Sequence, residues 1–374
     1  MEPGFQQPRS VASATAPGAP AKPRLLLIDI AKGFGILLIV LGHNPIFNHS
    51  FGFFSEALAS FRIPFFFFVS GVTLSLSGRS VKNIAIKRAD AWLKPFIVVV
   101  TLLGSLKILV GAGTLQGIMV GLVFATGFTL IWPALWFLPH LWLVYTFCTW
   151  LLVNFKPMFD TLAGRSLVLL TFAVLGYFSI DSFSDPISHP ICDKQLVFSR
   201  HLFECGLPFS ADLLFVTAFY FLLGHFVSAA VKRFAPSPLK VIAVFIAFIV
   251  LCLNSSAPVD LNYRLYEDLL LSPLQAICGI LLMLSVCYYC AMNRYIAASI
   301  SYFSRVSLFI LLFHTPFLSW IVYHLPKWIE SQLIVGILAF VIPIAISVAI
   351  YYLVQRTRIF APLMLPVKMP LLGR

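Results

Sequence analysis

The first long apolar run of the chain, Leu25-Leu-Leu-Ile-Asp-Ile-Ala-Lys-Gly-Phe-Gly-Ile-Leu-Leu-Ile-Val-Leu-Gly-His43, contains three ionisable residues. Asp29 and Lys32 are three positions apart and are therefore neighbours on one face of a helix. Lys32 and His43 are eleven apart, nearly three whole turns, so they fall on that same face. Charge is costly against lipid, and a polar stripe of this kind should face a bundle interior. At 1.5 Å per residue, Lys32 and His43 are separated by about 16 Å along the axis, comparable with the reach of an extended pantetheine arm. A cation at one level can hold the phosphates of coenzyme A while an imidazole meets the thioester. Histidine is the side chain best suited to take a proton from a sugar hydroxyl near neutral pH, which makes His43 the expected general base. The simpler alternative is an Asp29–Lys32 ion pair at the cytoplasmic interface with His43 snorkelling at the outer end. Gly33, Gly35 and Gly42 lie on the same run and permit close approach of a neighbouring helix or a ligand.

The element that must position these residues is a membrane helix. The 374 residues are 60% hydrophobic and only 11% charged, with a mean hydropathy of +0.95, whereas a soluble domain carries about 25% charged residues. Ten apolar spans are expected, near 25–43, 51–77, 95–110, 135–153, 166–180, 209–229, 239–254, 269–290, 304–323 and 332–354. The fold class is an all-α polytopic bundle with both termini cytoplasmic. The domain plan is a disordered tail over 1–23, a transmembrane domain over 24–356 and a cytoplasmic tail over 357–374. The net charge of +12 follows from topology: with Lys32, Arg62, Lys107, Lys194, Arg200, Arg264 and Lys327 within spans or outside, 19 of the 26 basic residues are inside. No nucleic-acid partner is needed to account for it. Counting 114–131 as an eleventh crossing would invert every later loop, so it reads as re-entrant or interfacial on the outer face.

The second span carries Phe61-Arg-Ile-Pro-Phe-Phe-Phe-Phe-Val-Ser-Gly71. A short hairpin between the first two spans brings Arg62 close to His43, where it orients an acceptor or stabilises an oxyanion, or else serves as an interfacial anchor. The four phenylalanines read as packing. Lys82, Lys87, Arg88 and Lys94-Pro95 form a basic cytoplasmic cluster that topology alone explains and that a polyanionic donor would also use. Cys192 and Cys205 share the outer loop 181–207 and are either paired or free there. Cys287-Tyr-Tyr-Cys290 lacks a second CxxC or a His pair, so no metal site is expected.

These segments resemble the acyltransferase-3 family of integral membrane acyltransferases, within it the branch similar to fucose 4-O-acetylases. The likeness rests on Lys32 to His43, ending Leu-Gly-His-Asn, and on the Arg62–Gly71 motif. Weaker matches are Leu135-Trp-Phe-Leu138, Leu207-Pro208 leading to Phe221-Leu-Leu-Gly224, and Ser307-Leu-Phe-Ile-Leu-Leu-Phe-His314. It implies transfer of an acetyl group from acetyl-CoA, as co-substrate with no bound cofactor, to a glycan or its lipid-linked oligosaccharide precursor. A bacterial inner-membrane location and an exopolysaccharide acetylase of the xanthan type follow from the same likeness. The basic residue and histidine of the family's first helix carry over to Lys32 and His43. Asp29 joins His43 as catalytic, while Lys32, Arg62, Arg88 and His314 are the expected binding residues. Where the family often has an Arg before the proline of the third span, this chain has Lys94. His314 is expected to bond to a neighbouring helix; His140, Asp212 and Gln275 line an interior without assigned roles. The rival function is a glycan or lipid transporter or flippase, which intramembrane charges also mark; the absence of two-half symmetry counts against it. A structural export subunit leaves the Lys32/His43 stripe unexplained.

Overall fold

In a lipid core, backbone groups must be satisfied within the segment, so apolar runs of this length fold as helices. The computed structural model describes residues 23–76, 80–188, 192, 202–255, 259–266 and 268–367. The expected N-terminal tail, Arg79, most of the outer loop after residue 188 and the last seven residues lie outside them. The described residues form an all-α bundle without strands.

The chain opens with α1 (Pro23–Gly42), the short α2 (Pro45–Ser50) and α3 (Gly52–Val72). Next come α4 (Val81–Arg88), a π-helical turn (Ala89–Leu93), α5 (Lys94–Leu109) and α6 (Leu115–Phe124). Then follow α7 (Phe137–Asn154), the single turn α8 (Lys156–Phe159), α9 (Leu162–Ser188), α10 (Leu214–Phe226) and the turn α11 (Ser228–Val231). The chain continues through α12 (Pro238–Asn254), α13 (Leu271–Ala291), α14 (Arg294–His324), α15 (Gln332–Arg356) and α16 (Phe360–Met364).

Among the described residues, eight helical segments are long and apolar enough to cross a membrane. The 20-residue α1, which carries the charged stripe, and the shorter 17-residue α12 lie at the positions of the other two expected spans. The interval 114–131 holds only the ten-residue α6, which rises about 15 Å, half of a hydrocarbon core. Ile118 of α6 fills the space left at Gly104 of α5. The third span starts earlier than hydropathy alone indicates: α4, the π turn and α5 form one 29-residue segment, Val81–Leu109. Pro95 does not interrupt it, because it lies in the first turn after the π segment, where its missing N–H breaks no regular i→i+4 ladder.

The first helix is central. It packs against α14, α3 and α13, and α14 packs in turn on α15. Gly33 permits this: a Cβ there would strike the Ile300 carbonyl of α14, so the two backbones touch. Gly35 lies under Phe66, while Phe65, Phe67 and Phe68 are buried in the core.

Candidate active site

The C-terminal end of α1 is built by short polar links. Asn44 caps α2 through its side-chain oxygen, and its amide donates to the Gly336 carbonyl of α15 at 2.8 Å. Asn48 donates to the Gly42 carbonyl at 3.0 Å and accepts from the Ser55 hydroxyl at 2.7 Å. This closes the α1–α2–α3 hairpin and lays the Arg62 guanidinium on Gly42, where any Cβ would collide with it. The charge of Arg62 bears on His43, and that of Asp260 bears on Arg62.

His43 follows the last residue of α1, and its Nδ1 is 2.7 Å from the Ile39 carbonyl. A carbonyl only accepts, so Nδ1 carries the proton and a neutral ring has its lone pair at Nε2. The ring does not snorkel. It packs edge-on against His314 with centroids 5.1 Å apart, and it lines a cavity of about 530 Å³. Arg62, Glu56, Trp136, Asp260 and Asn262 line the same cavity. These residues come from the ends of α1, α3 and α7 and from the loop before α13, the end of the bundle opposite the basic cluster.

His314 differs from expectation in its partners. It is fully buried, but its Nδ1 donates to carbonyls of its own helix, Ile310 at 2.8 Å and Leu311 at 3.2 Å, and not to a neighbouring helix. The i−4 carbonyl of a helix is within reach of a ring that points back along it.

Lys32 does not line this cavity. It is half-buried deeper in the bundle, where the charges of Asp29 and Arg88 act on it. Arg88 ends α4 at the π turn, a distortion frequent at functional sites. Its Nη2 donates to the Tyr145 hydroxyl at 2.8 Å, and its guanidinium lies 4.4 Å from the Tyr145 ring centroid and 4.9 Å from that of Trp92. Lys94 is committed elsewhere: it pairs with Asp90 at 2.6 Å and donates to the Leu365 carbonyl at 2.8 Å. Asp90 also accepts from the Val367 amide at 2.8 Å, so this pair ties down the chain after α16.

The other interior polar residues bond to one another or to the backbone. His140 bonds to the Phe209 carbonyl and to Thr217, each at 3.0 Å, and Gln275 donates to Leu251 of α12 at 3.0 Å. Asp212 forms a buried ion pair with Arg264 at 2.8 Å. Cys192 and Cys205 form a disulfide. Among the described residues, no cluster of His, Cys, Asp or Glu can hold a metal.

A family model described as an acyltransferase domain matches residues 25–352. The chain belongs to the acyltransferase-3 family. No match was found among curated proteins or among solved structures. An acyltransferase must bring an acyl donor and an acceptor nucleophile to one point, and α1 of this acyltransferase runs between a cationic level and an imidazole level. Tyr145 and Asp260 had no local sequence signal. Tyr145 is 57 residues from Arg88, and Asp260 lies in an outer loop without a motif.

Proposed function

We propose that this membrane acyltransferase moves an acetyl group from acetyl-CoA to a sugar hydroxyl of an exopolysaccharide or its lipid-linked precursor in a bacterial inner membrane. Lys32 and Arg88 hold the donor's phosphates from the cytoplasmic side. Asp29 sets the charge beside Lys32. The pantetheine arm runs along α1, and the acceptor enters the cavity at the opposite end.

His43 Nε2 removes the acceptor's hydroxyl proton as that oxygen attacks the thioester carbonyl carbon. A C–O bond forms, the negative charge on the carbonyl oxygen is met by Arg62, and the C–S bond breaks. Coenzyme A leaves as its thiolate and takes the proton from His43 Nε2, which returns the base to its starting state. His314 packs against the imidazole and limits its rotation. Trp136 offers an apolar face and Asp260 a hydrogen-bonding edge, the mixture a pyranose requires.

The observation that carries this reading is the fixed tautomer of His43, with Nδ1 committed to Ile39 in an open, mixed-polarity cavity. Membranes are incubated with acetyl-labelled acetyl-CoA and a lipid-linked oligosaccharide. Label on sugar oxygen, lost in His43→Ala, is expected; acceptor movement across the membrane without label would support transport instead.

A further inference from the structure

One wall of the His43 cavity is a small hairpin, residues 259–265, which contributes Asp260, Asn262 and Tyr263. Asp260 and Leu265 exchange backbone hydrogen bonds at 2.9 Å, and the Asp260 carboxylate accepts the Asn262 amide at 2.8 Å. Seven residues with one bridge have too little apolar area to hold their own shape. Their anchor is Arg264. Its side chain is wholly buried; Nε donates to Asp212 at 2.8 Å, and Nη1 donates back to the Asn262 carbonyl at 2.7 Å.

The far end of this anchor is itself fixed. Asp212 accepts the Leu207 amide at 2.8 Å, two residues beyond Cys205 of the disulfide. Gly206, with φ of 121°, approaches Arg264 Nη2 so closely that a Cβ would crowd it. The Phe128 ring packs on the disulfide, lies 5.7 Å from the Arg264 guanidinium, and meets Tyr263.

The arrangement is costly. Arg264, Phe209 and Ser210 all have φ near +55°, a region that non-glycine residues avoid. Arg264 Nη2 and Asn262 Oδ1 are buried without a hydrogen-bond partner among the described residues. A buried ion pair seldom stabilises a fold better than apolar residues of equal volume. Stability alone therefore does not account for it.

We propose that Arg264 and Asp212 are positioning residues that hold the 259–265 hairpin in register with His43 and Arg62, and so set the affinity for the acceptor hydroxyl compound. Neither touches the reacting atoms. The proposal rests on the acyl-acceptor reading of the cavity.

The test is the double variant Asp212→Asn/Arg264→Gln, which removes both charges and leaves no unpaired ion in the interior. Two readouts are taken on the full-length protein in detergent. Amide hydrogen exchange at Asp260 and Leu265 is expected to speed up by about tenfold or more. With labelled acetyl-CoA and a polyprenyl-diphosphate-linked oligosaccharide, acceptor KM is expected to rise by about tenfold while donor KM and kcat change less than about threefold. Unchanged exchange overturns the proposal whatever the protein's activity. So does faster exchange with a loss confined to kcat, or failure of the double variant to fold, since the pair would then serve the fold alone. If the parent protein acylates no hydroxyl, the acceptor reading falls, and exchange still decides whether the pair positions the hairpin.

Discussion

The two ends of α1 hold their polar groups in opposite ways. At the outer end, His43, Arg62 and Asp260 converge on one open cavity, and the imidazole's proton is fixed by a single backbone carbonyl. In the inner half, Arg88 is held by a phenol hydroxyl and two aromatic faces, none of which neutralises it. Lys94, a nearby cation that is paired with a carboxylate, is bound into the C-terminal segment. Under the proposed function, the contrast separates two chemical tasks. A proton acceptor needs a defined lone pair, whereas a site for a polyanion needs positive charge that is oriented but unspent.

Substitutions at each end should therefore fail differently. The largest effect is expected for His43→Ala, a loss of about a thousandfold in kcat with donor KM little changed, the scale of a general base; a raised donor KM with near-normal kcat would reverse the assignment. Arg62→Ala comes next, with a fall of about a hundredfold in kcat, partly restored by Arg62→Lys, as for removal of one oxyanion-stabilising group. An equal loss in the alanine and lysine variants would point to packing on Gly42 as the whole role. At the inner end, Arg88→Gln should raise acetyl-CoA KM by about tenfold and leave acceptor KM alone, the cost of one charge-assisted contact. Steady-state titration of both substrates separates these outcomes. The smallest effect is for Tyr145→Phe, which removes one hydrogen bond to Arg88 but keeps the ring: donor KM should rise by about threefold to fivefold. No change there would mean that the ring alone orients Arg88.

The same contrast governs what the sequence reveals. Asp29, Lys32 and His43 stand out because charge inside an apolar run is rare and the helical period assigns them to one face. Arg62 follows from a short hairpin. The long apolar spans are legible for the same reason, since length and apolarity decide them. The extension of the third span back to Val81 is hidden, because α4 carries Lys82, Lys87 and Arg88 and hydropathy ignores helical continuity through a π turn. Asp212 and Arg264 are 52 residues apart, on segments with no common period, and only the folded chain joins them. The disulfide required knowing that 192 and 205 come within 5.4 Å at Cα. His314 was visible as a buried histidine, yet its partners depend on a rotamer.

The central claim is that the two substrates approach α1 from opposite ends and meet at His43. It is tested most directly in sealed proteoliposomes of uniform orientation, with acetyl-labelled acetyl-CoA supplied only on the side of the basic cluster and a soluble glycan acceptor only on the other. Labelled glycan on the far side with the parent protein, and none with His43→Ala, is the predicted result. Transfer that requires both substrates on one side, or that survives in His43→Ala, would contradict the account.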